Sequence, residues 1–586
     1  MKFLLVALNA KYIHSNLAVH SLKAYAEKRL ETLKYSGSEI FIEIAEYTIN
    51  QPTEKILEDI YKKNPDVLMF SCYIWNIRQI SDLADDISMI RKDLDIWLGG
   101  PEVSFDPFEI MDSLKNLKGV ICGEGEKPFS ELVRIYAFEK DSADGVRVDD
   151  HALRSVRGIV FRNDQGYKEM VSRQEADDIS IIPFPYGELK DFDNRIIYYE
   201  SSRGCPFRCS YCLSSVEKHL RFRDLSIVMQ ELGYFLKCRI PQVKFIDRTF
   251  NCDHQRAVSI WEYIKENDNG VTNFHFEIAA DLLTEEELSL IRGMRTGQVQ
   301  LEIGVQSTNR QTLKEINRVT DIERLKYSVS QIKKGGNVHI HLDLIAGLPF
   351  EDYKSFAKSF DDVFLLKPEQ LQLGFLKVLK GSPIEKKCKE YGLKYTKQPP
   401  YEVLETRWIS YDELRKLKGV EEMVEIYYNS RQFSHMLDIL LEKFKSPFEF
   451  FQRLSLRFRE DGSNMINISR NSRYEILIEF GKDILPEYEN ERFMEAAVCD
   501  YYLRDNVKNR PPFLGREKTD KRFLKEFYSR EAVLHRYLKG GRYDTDDPRL
   551  LRKLTHLERL KDGYYLFDYM ERSPMDNNAR MVKIDY

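Results

Sequence analysis

SRGCPFRCSYC, residues 202–212, is the stretch of this sequence that decides the fold. It places three cysteines within eight positions: Cys205, Cys209 and Cys212. Gly204 and Pro206 restrict the backbone of the loop that carries them. The stretch directly follows an apolar run, RIIYYESS (195–202), which predicts a β-strand. Three thiolates on such a loop can converge on one metal centre.

The number and spacing of ligands favour an iron–sulfur cluster over zinc. Clusters are usually held by four cysteines, so three protein ligands leave one iron of a four-iron cluster open for a substrate or cofactor. A structural zinc site normally needs four Cys or His ligands. The nearest histidine, His219, lies seven residues beyond Cys212, outside the usual short spacing. A redox CxxC motif would leave the third cysteine without a role.

Composition and charge describe a chain with several folded domains. Its 586 residues exceed the usual domain size of roughly 100–200 several-fold, so about three domains are expected. Hydrophobic residues make up 42% and charged residues 31%, which is far from the profile of a disordered chain. The net charge of −5 excludes a global basic field that would attract nucleic acid or an acidic membrane.

The N-terminus and the cysteine count indicate a cytoplasmic protein. The apolar run LLVALNA near Met1 is too short for a signal peptide and is interrupted by Asn9 and then Lys11. No stretch approaches the roughly 18 apolar residues of a membrane span. Nine cysteines, an odd number, argue against a disulfide framework. We therefore predict a soluble cytoplasmic protein without membrane contact.

Residues 1–135 alternate between predicted strands and helices and form the first predicted domain. Short apolar runs rich in β-branched or aromatic residues predict five strands: 3–9, 39–47, 66–75, 95–100 and 119–126. Helical periodicity fills the intervals: 15–33, 53–64, 77–93 and 108–117. This alternation predicts right-handed βαβ units and a doubly wound parallel sheet, an α/β fold of Rossmann-like type.

Candidate ligand-binding residues follow the strands of this first domain. Open α/β sheets bind ligands beyond the carboxyl ends of their strands. Four residues at these ends are our candidates: Ser71, Gly99, Gly100 and Gly123. Glycine lets a large ligand approach the backbone closely, but it also makes tight turns. The sequence leaves both roles open.

A second alternating region follows a connector. Residues 136–192 contain a predicted hairpin with its turn at 163–166, and we treat them as the connector. Residues 193–400 contain six predicted strands separated by helical patterns: 195–202, 242–250, 274–281, 298–307, 337–349 and 370–379. They predict a partial (β/α)6 barrel. Helical periodicity dominates 401–586, so the C-terminal domain is expected to be mostly helical.

Three of these six strands alternate between apolar and polar residues. One parity is polar on each strand: His275, Glu277 and Asp281; Glu302 and Gln306; His339, His341 and Asp343. If the apolar parity packs on the helices, the polar parity faces the barrel interior. Carboxylates are costly to bury without partners, so the interior holds either a polar ligand or a water-filled network of ion pairs and hydrogen bonds. For the group as a whole we favour a ligand.

The Cys-x-x-x-Cys-x-x-Cys loop after the first barrel strand, with Tyr211 before its last cysteine, resembles the radical S-adenosylmethionine (SAM) superfamily. The resemblance implies a 4Fe-4S cluster held by Cys205, Cys209 and Cys212. It implies that the open iron chelates SAM, which is cleaved reductively to a 5′-deoxyadenosyl radical. It also implies an external electron donor of the flavodoxin or ferredoxin type.

The same resemblance implies contacts to SAM. Backbone groups of Asp247 and the residues after it would contact the SAM amine. Glu277, Glu302 and Gln306 lie on strands that contact the methionyl and ribose parts in the family. The Gly347-Leu348-Pro349 turn would lie near adenine, with main-chain contacts from Tyr211.

The first sheet resembles the cobalamin-binding domain of the large radical SAM subgroup that pairs the two modules. Cobalamin is therefore expected at the strand ends named above. Many methylcobalamin-dependent folds carry Asp-x-His-x-x-Gly, whose histidine ligates cobalt, and this chain lacks that motif. His14 lies in the first loop without the flanking Asp and Gly, so we assign it a structural or polar contact. A vestigial cobalamin domain remains the alternative.

The resemblance predicts a cobalamin-dependent radical SAM enzyme that activates a C–H bond, with or without methyl transfer to a substrate that the sequence does not identify. One alternative is a cyclase or rearrangement enzyme that uses the radical without methyl transfer. Another is a nucleic-acid-binding scaffold, because residues 501–560 contain 16 Lys and Arg against 9 Asp and Glu. Such a helical region is more often a solvated surface, so we do not favour nucleic acid.

Overall fold

The structure is a computed structural model of the chain. It describes residues 1–33, 39–139, 148–172, 177–187, 189–192, 194–216, 219–460, 468–507, 509–516, 519–539, 543 and 547–585, so residues 140–147 of the predicted connector lie outside it. The chain divides into two compact units. The first comprises Met1–Leu301, Leu313–Ser328 and Phe375–Arg407; the second comprises Glu302–Thr312, Val329–Gly374 and Trp408–Tyr586.

The first sheet confirms the predicted α/β region and extends it. Its strand order is β2-β1-β3-β4-β5-β6-β7. The strands are β1 Lys2–Asn9, β2 Phe41–Thr48, β3 Val67–Ser71, β4 Asp95–Gly99, β5 Gly119–Ile121, β6 Ile159–Arg162 and β7 Lys168–Met170. The first five are parallel. The predicted hairpin forms β6 and β7, and it joins the sheet edge antiparallel to β5.

Helices cover both faces of this sheet. They are α1 Leu17–Thr32, α2 Thr53–Lys63, α3 Ile77–Ile90, α4 Pro101–Ser104, α5 Pro107–Ser113, α6 Glu126–Glu139 and α7 Asp150–Leu153. Successive residues of β1 enter different cores: Leu4 and Val6 lie in one buried cluster, and Phe3 and Leu5 lie in the other. This explains the uninterrupted apolar strands, because a parallel sheet covered on both faces buries both parities.

The second sheet contains all six predicted strands. Its order is β15-β14-β13-β12-β11-β8. The strands are β8 Ile197–Tyr199, β11 Gln242–Phe245, β12 Asn273–Ile278, β13 Val299–Gln306, β14 His339–Ala346 and β15 Gln370–Phe375. The strand order begins with β15 and ends with β8, as expected for a partial barrel rather than a closed one. The boundary between the two compact units falls within β13.

The connections between these strands contain the helices that the periodicity predicted. They are α8 Leu225–Lys237, α9 His254–Glu266, α10 Glu285–Arg292, α11 Arg310–Glu315, α12 Ile322–Lys333, α13 Tyr353–Phe364 and α14 Cys388–Tyr391. A capping box formed by Thr284 and Glu287 fixes the start of α10. Two small antiparallel pairs complete the region: β9 Ser202–Arg203 with β10 Arg221–Phe222, and β16 Lys394–Tyr395 with β17 Val403–Glu405.

The C-terminal region is mostly helical, as predicted, but it ends in a sheet that was not predicted. Its helices are α15 Tyr411–Met423, α16 Ser434–Leu441, α17 Pro447–Glu460, α18 Arg470–Ile484, α19 Asn490–Arg504, α20 Lys521–Leu534 and α21 Pro548–Leu554, and a π-helical turn, Val424–Asn429, follows α15. The antiparallel strands β18 Thr555–Leu560, β19 Gly563–Arg572 and β20 Ala579–Ile584 form the sheet. Leu557 and Leu566 of this sheet pack with α20 and α21 in one core. Among the described residues, no helix is long and apolar enough to span a membrane.

Candidate functional site

The cysteine loop extends from the second sheet, and its two ends are held together. The short pair β9–β10 sets Arg203 opposite Arg221 and so joins the two ends of the loop. Gly204 has a φ of +96°, and a Cβ there would lie 2.5 Å from the carbonyl oxygen of His219. Only glycine fits this position without strain, which explains why it stands directly before Cys205.

Backbone hydrogen bonds hold the middle of the loop. The Ser210 N–H donates to the Ile316 carbonyl at 2.9 Å, and the Ser210 carbonyl accepts from the Ile384 N–H at 2.8 Å. Ser210 lies between the second and third cysteines, so these bonds fix the loop against two later segments of the first unit.

The three cysteines lie close enough to influence one another electrostatically. Burial raises the pKa of the Cys209 thiol, Arg318 opposes this shift, and Cys212 and Cys205 add to it. The Arg318 Nη1 lies 3.8 Å from the Cys209 sulfur. Thr249 places its Oγ1 3.7 Å from the Cys205 sulfur. The loop therefore presents three clustered thiols, with one cation and one hydroxyl beside them.

Asp247 supports the residues just before the loop. It is buried, and its carboxylate accepts hydrogen bonds from the Ser201 N–H at 3.0 Å and from the hydroxyls of Ser201 and Ser202 at 2.6 Å each. Burial raises the pKa of Asp247 to about 6, although these hydrogen bonds favour the charged form. The side chain thus positions the entry to the loop.

An ion-pair network connects the cysteine loop with the first sheet. The Arg203 guanidinium lies 2.7 Å from the carboxylates of Glu126 and Glu200 and 3.3 Å from that of Glu124. Arg221 also pairs with Glu124. Glu124 and Glu126 follow β5, so the carboxyl end of that strand meets the residues that flank the cysteines.

The loop after β1 meets the second sheet as well. Its His14 forms a bridge to Ile196, and the Tyr198 hydroxyl lies 2.7 Å from His14 Nδ1. Burial lowers the pKa of His14, which favours the neutral ring. These contacts agree with the structural role predicted for His14.

The four candidate residues at the strand ends of the first sheet differ in their surroundings. Gly100 has a φ of +114°, and a Cβ there would lie 2.4 Å from the Cys72 carbonyl oxygen, so backbone packing alone requires this glycine. Gly123 has a φ of +82° with nothing within 4 Å of its Cβ position, which leaves space for a ligand. A Cβ at Gly99 would make an ordinary contact with Ile121, and the Ser71 carbonyl accepts from Asn76.

The predicted polar parity is present on β13 and β14. On β13, Leu301, Ile303 and Val305 are fully buried, whereas Glu302 and Gln306 keep partial exposure. Ligand atoms of Glu302, His341 and Asp343 lie within 4.8 Å of one another in the second unit, with His341 Nε2 3.0 Å from Asp343 Oδ1. These groups can accept hydrogen bonds or hold a cation.

The remaining SAM candidates occupy strand ends or partly exposed positions. Gln306 has a φ of +69° at the end of β13, and its buried Oε1 has no hydrogen-bond partner among the described residues. Gly347 has a φ of +87° in the turn after β14. Glu277 is partly exposed on β12. Burial raises the pKa of Tyr211, and the charge of Arg318 opposes this shift.

Two features of the site were not predicted. Arg318 reaches Cys209 from 109 positions along the chain, and no sequence motif marks it. The network of Arg203 with Glu124 and Glu126 also spans more than 70 positions. The only local signal for this network was charge: an arginine before the first cysteine and two glutamates in the GEGE loop.

Three family models match successive parts of the chain. The B12 binding domain model matches residues 4–133, and the Radical SAM superfamily model matches residues 199–363. The chain contains a B12-binding domain and a radical SAM domain. A third model, described as a protein of unknown function (DUF4080), matches residues 389–582. The first two matches confirm both modules that the sequence predicted.

Curated relatives of this chain are distant. It is 24% identical over 322 residues to an uncharacterized methyltransferase of Pyrococcus horikoshii, covering 52% of this chain and 67% of the relative. It is 24% identical over 372 residues to the cobalamin-dependent radical SAM methyltransferase TokK of Streptomyces tokunonensis, covering 58% and 51%. It is 22% identical to an anaerobic magnesium-protoporphyrin IX monomethyl ester cyclase of Rubrivivax gelatinosus, covering 56% and 59%. The chain thus spans about half to two thirds of these relatives.

Solved structures share the fold. The methyltransferase TsrM of Kitasatospora setae, with cobalamin and a [4Fe-4S] cluster bound, matches with a TM-score of 0.57 and 14% identity, over 79% of this chain and 99% of that one. OxsB, with aqua-cobalamin and SAM bound, matches with a TM-score of 0.57 and 16% identity, over 85% and 78%. At this identity the likeness concerns the fold alone.

Several arginines in the basic region, residues 501–560, form contacts within the C-terminal fold. Arg510 pairs with the buried Glu558 at 2.7 Å. Arg504 donates to the carbonyl oxygens of Asp576 and Ser430. These side chains are committed to internal contacts, which weakens the nucleic-acid alternative.

Proposed function

We propose that the chain is a cobalamin-dependent radical SAM enzyme that activates a C–H bond of its substrate, with methyl transfer as the expected outcome. The observation that carries the proposal is the loop with three cysteines, held by backbone hydrogen bonds at Ser210 and joined by Arg203 to Glu126, which follows a strand of the first sheet. When bound, the cluster and SAM supply a 5′-deoxyadenosyl radical, and cobalamin supplies a methyl group.

Cys205, Cys209 and Cys212 would hold the cluster. Their donor set fits it, because iron–sulfur clusters take thiolates and three ligands leave one iron open. Arg318 adds a positive charge beside Cys209, which favours the thiolate over the thiol. Arg203 and Asp247 position the chain just before the first of these cysteines.

Tyr211, Asp247, Glu277, Glu302, Gln306 and Gly347 are the residues we propose for SAM binding. The buried Gln306 Oε1 supports this, since it has no hydrogen-bond partner among the described residues and a ligand hydroxyl or amine could supply one. The turn at Gly347 would let a flat ring approach the backbone, because its positive φ excludes most side chains there.

Ser71, Gly99, Gly100 and Gly123 are the residues we propose for cobalamin. The open space at Gly123 supports this placement, whereas the packing of Gly100 on Cys72 gives that glycine a second, structural role. We assign His14 a structural contact, because its ring lies 2.7 Å from the Tyr198 hydroxyl and the chain lacks the Asp-x-His-x-x-Gly motif.

Reductive cleavage of SAM requires an external reductant. We propose a one-electron carrier of the flavodoxin or ferredoxin type and a cytoplasmic location, where such carriers are found. We propose four segments along the sequence: 1–135 for cobalamin, 136–192 as connector, 193–400 for the radical SAM barrel and 401–586 for the C-terminal domain.

The proposal is tested by the products formed from SAM. Anaerobically reconstituted, reduced protein loaded with hydroxocobalamin should form 5′-deoxyadenosine and S-adenosylhomocysteine together. The Cys205→Ala variant should form neither, and Cys388→Ala is the matched control that should keep both. Deoxyadenosine alone would favour a cyclase or rearrangement enzyme. If cluster-loaded wild type formed no product from SAM, the proposal would be contradicted.

A further inference from the structure

The geometry points to the outer face of the cysteine loop as the docking surface for an acidic one-electron carrier protein, an inference that rests on the proposed function. Four exposed cations form this surface, called here the basic patch: Arg208, Lys314, Lys386 and Lys389. They come from three segments that are distant in sequence and belong to the same compact unit.

The backbone clamp on the cysteine loop brings the three segments together. Ser210 is hydrogen-bonded to Ile316 through its N–H and to Ile384 through its carbonyl. An exposed cation stands two residues from each bonded position: Arg208, Lys314 and Lys386. The second and third segments are also joined by the Lys387–Glu315 ion pair at 2.9 Å. The backbone bonds at Ser210 therefore hold together the three stretches that carry the exposed cations.

The patch is positive in a chain whose net charge is −5. Lys387 neutralises Glu315, and Glu385 accepts a hydrogen bond from the Gly381 N–H. Within residues 205–216, 313–317 and 382–391, the stretches that carry the four cations, Glu390 is the one exposed acidic residue. Within the described residues, none of the four patch cations forms an ion pair. Their charge is thus available to a partner.

The patch also lies beside the proposed cluster ligands. Arg208 is bonded through the backbone to Cys209, which is only 6% exposed. A carrier bound at the patch would be separated from the thiols by the loop itself. In the transfer, one electron leaves the reduced carrier and enters the cluster, and no covalent bond forms or breaks.

Charge complementarity is the means by which such a small, transient interface would select its partner. Electron-transfer complexes bury little surface, usually below about 1,200 Å² in total, so a few charges contribute much of their specificity. Complementary charges mainly raise the association rate, and they make it depend on salt. A small acidic carrier of the flavodoxin or ferredoxin class fits these requirements.

The test measures binding and electron transfer separately, using a flavodoxin as the probe. The Kd of oxidised flavodoxin for the full chain would be measured by calorimetry at low and high salt. The rate of cluster reduction by reduced flavodoxin would be followed by stopped flow. The same measurement with photoreduced deazaflavin, a small reductant, serves as the comparison. We expect Lys314→Glu/Lys386→Glu, and separately Arg208→Glu, to weaken binding at least tenfold at low salt and to remove most of its salt dependence. The rate at which deazaflavin reduces the cluster should be the same in these variants as in wild type.

The matched control is Lys92→Glu/Lys115→Glu, which reverses two exposed charges near the amino ends of β4 and β5. It should bind flavodoxin as wild type does. Equal Kd values and equal salt dependence in wild type and both patch variants would overturn the inference. Failure of the proposed function is distinguishable, because it would appear in wild type as absence of a cluster or of SAM cleavage.

Discussion

The Oγ1 of Thr249 lies 3.7 Å from the sulfur of Cys205, the first cysteine of the loop. The same hydroxyl lies 2.8 Å from the Arg248 carbonyl oxygen and donates to it. A protonated Cys205 can therefore donate its S–H to Thr249. A thiolate bound to iron has no proton, so in the loaded protein a hydrogen bond between these two groups would have the hydroxyl as its donor.

This contact predicts that Thr249 tunes the cluster. Hydrogen bonds to cluster sulfurs help to set the reduction potential by stabilising the more negative reduced state. Thr249→Val should lower the potential by up to about 59 mV, a tenfold change in the one-electron equilibrium. Thr249→Ser keeps the hydroxyl and should stay near wild type. An EPR-monitored redox titration measures both, and identical potentials in Val and Ser variants would rule the contact out.

Replacement of any one loop cysteine should abolish cluster binding. Reconstituted wild-type protein should hold about four irons, as expected for a 4Fe-4S cluster. Cys205→Ala, Cys209→Ala and Cys212→Ala should each lose this iron. Cys388→Ala should keep it, because that thiol lies outside the cysteine loop and donates to the Ile384 carbonyl. Iron and sulfide analysis decides the matter, and a full redox-active cluster in the triple variant would refute the assignment.

Arg203 should be a major contributor to the stability of the first unit. Arg203→Gln leaves Glu124, Glu126 and Glu200 without their shared cation, and loss of one partner from such a nearly buried network costs roughly 3 kcal/mol. Arg91→Gln is the control, because its partner Asp93 is 72% exposed and such surface pairs contribute about 1 kcal/mol or less. Thermal unfolding should show a clearly larger loss for Arg203→Gln, and similar losses would contradict this account.

His14 should not ligate cobalt. The chain lacks the Asp-x-His-x-x-Gly motif, and the His14 Nδ1 lies 2.7 Å from the Tyr198 hydroxyl. His14→Ala should therefore remove a contact between a loop and a strand and leave the metal environment unchanged. Protein loaded with hydroxocobalamin should show the same visible absorption band with and without the substitution. A large spectral shift in His14→Ala would instead identify His14 as a cobalt ligand.

Glu351 should make the second unit less stable as the pH rises. Burial raises its pKa from 4.5 to about 7, and hydrogen bonds from Ser307 and Ser359 oppose this only in part. The folded state therefore holds a proton that the unfolded state releases between these values. The contribution of this proton to the free energy of unfolding is complete below about pH 4.5 and is lost by about pH 7, a change of roughly 3 kcal/mol.

Glu351→Gln removes this titration, because an amide does not ionise in this range. We expect wild type to lose more thermal stability than Glu351→Gln between pH 5 and pH 8. The Ser359→Ala variant keeps the carboxyl and should keep the pH dependence. Equal pH dependence in wild type and Glu351→Gln would show that the carboxyl is not the responsible group.

Much of the fold could be predicted because its signals are local. The strands of both sheets follow from apolar runs and alternation, and the glycine and three cysteines of the loop lie within a few positions of one another. The sheet β18–β20 was missed, since runs such as THLERL and GYYLFDYMER mix charges with aromatic residues and bury only part of their surface. The attachment of β6 and β7 to the first sheet was also missed, because a hairpin pattern does not state which edge it joins.

The sequence by itself determined the cysteine loop, the two α/β modules and the polar parity of β13 and β14. Only the tertiary structure decided which distant groups surround the cysteines. Arg318 reaches Cys209, and Arg203 reaches Glu126, across separations of 109 and 77 residues. Periodicity and spacing describe neighbours along the chain. Which remote charges pair depends on which loops the packed strands bring to the same edge of a sheet. Burial of the whole core determines that packing.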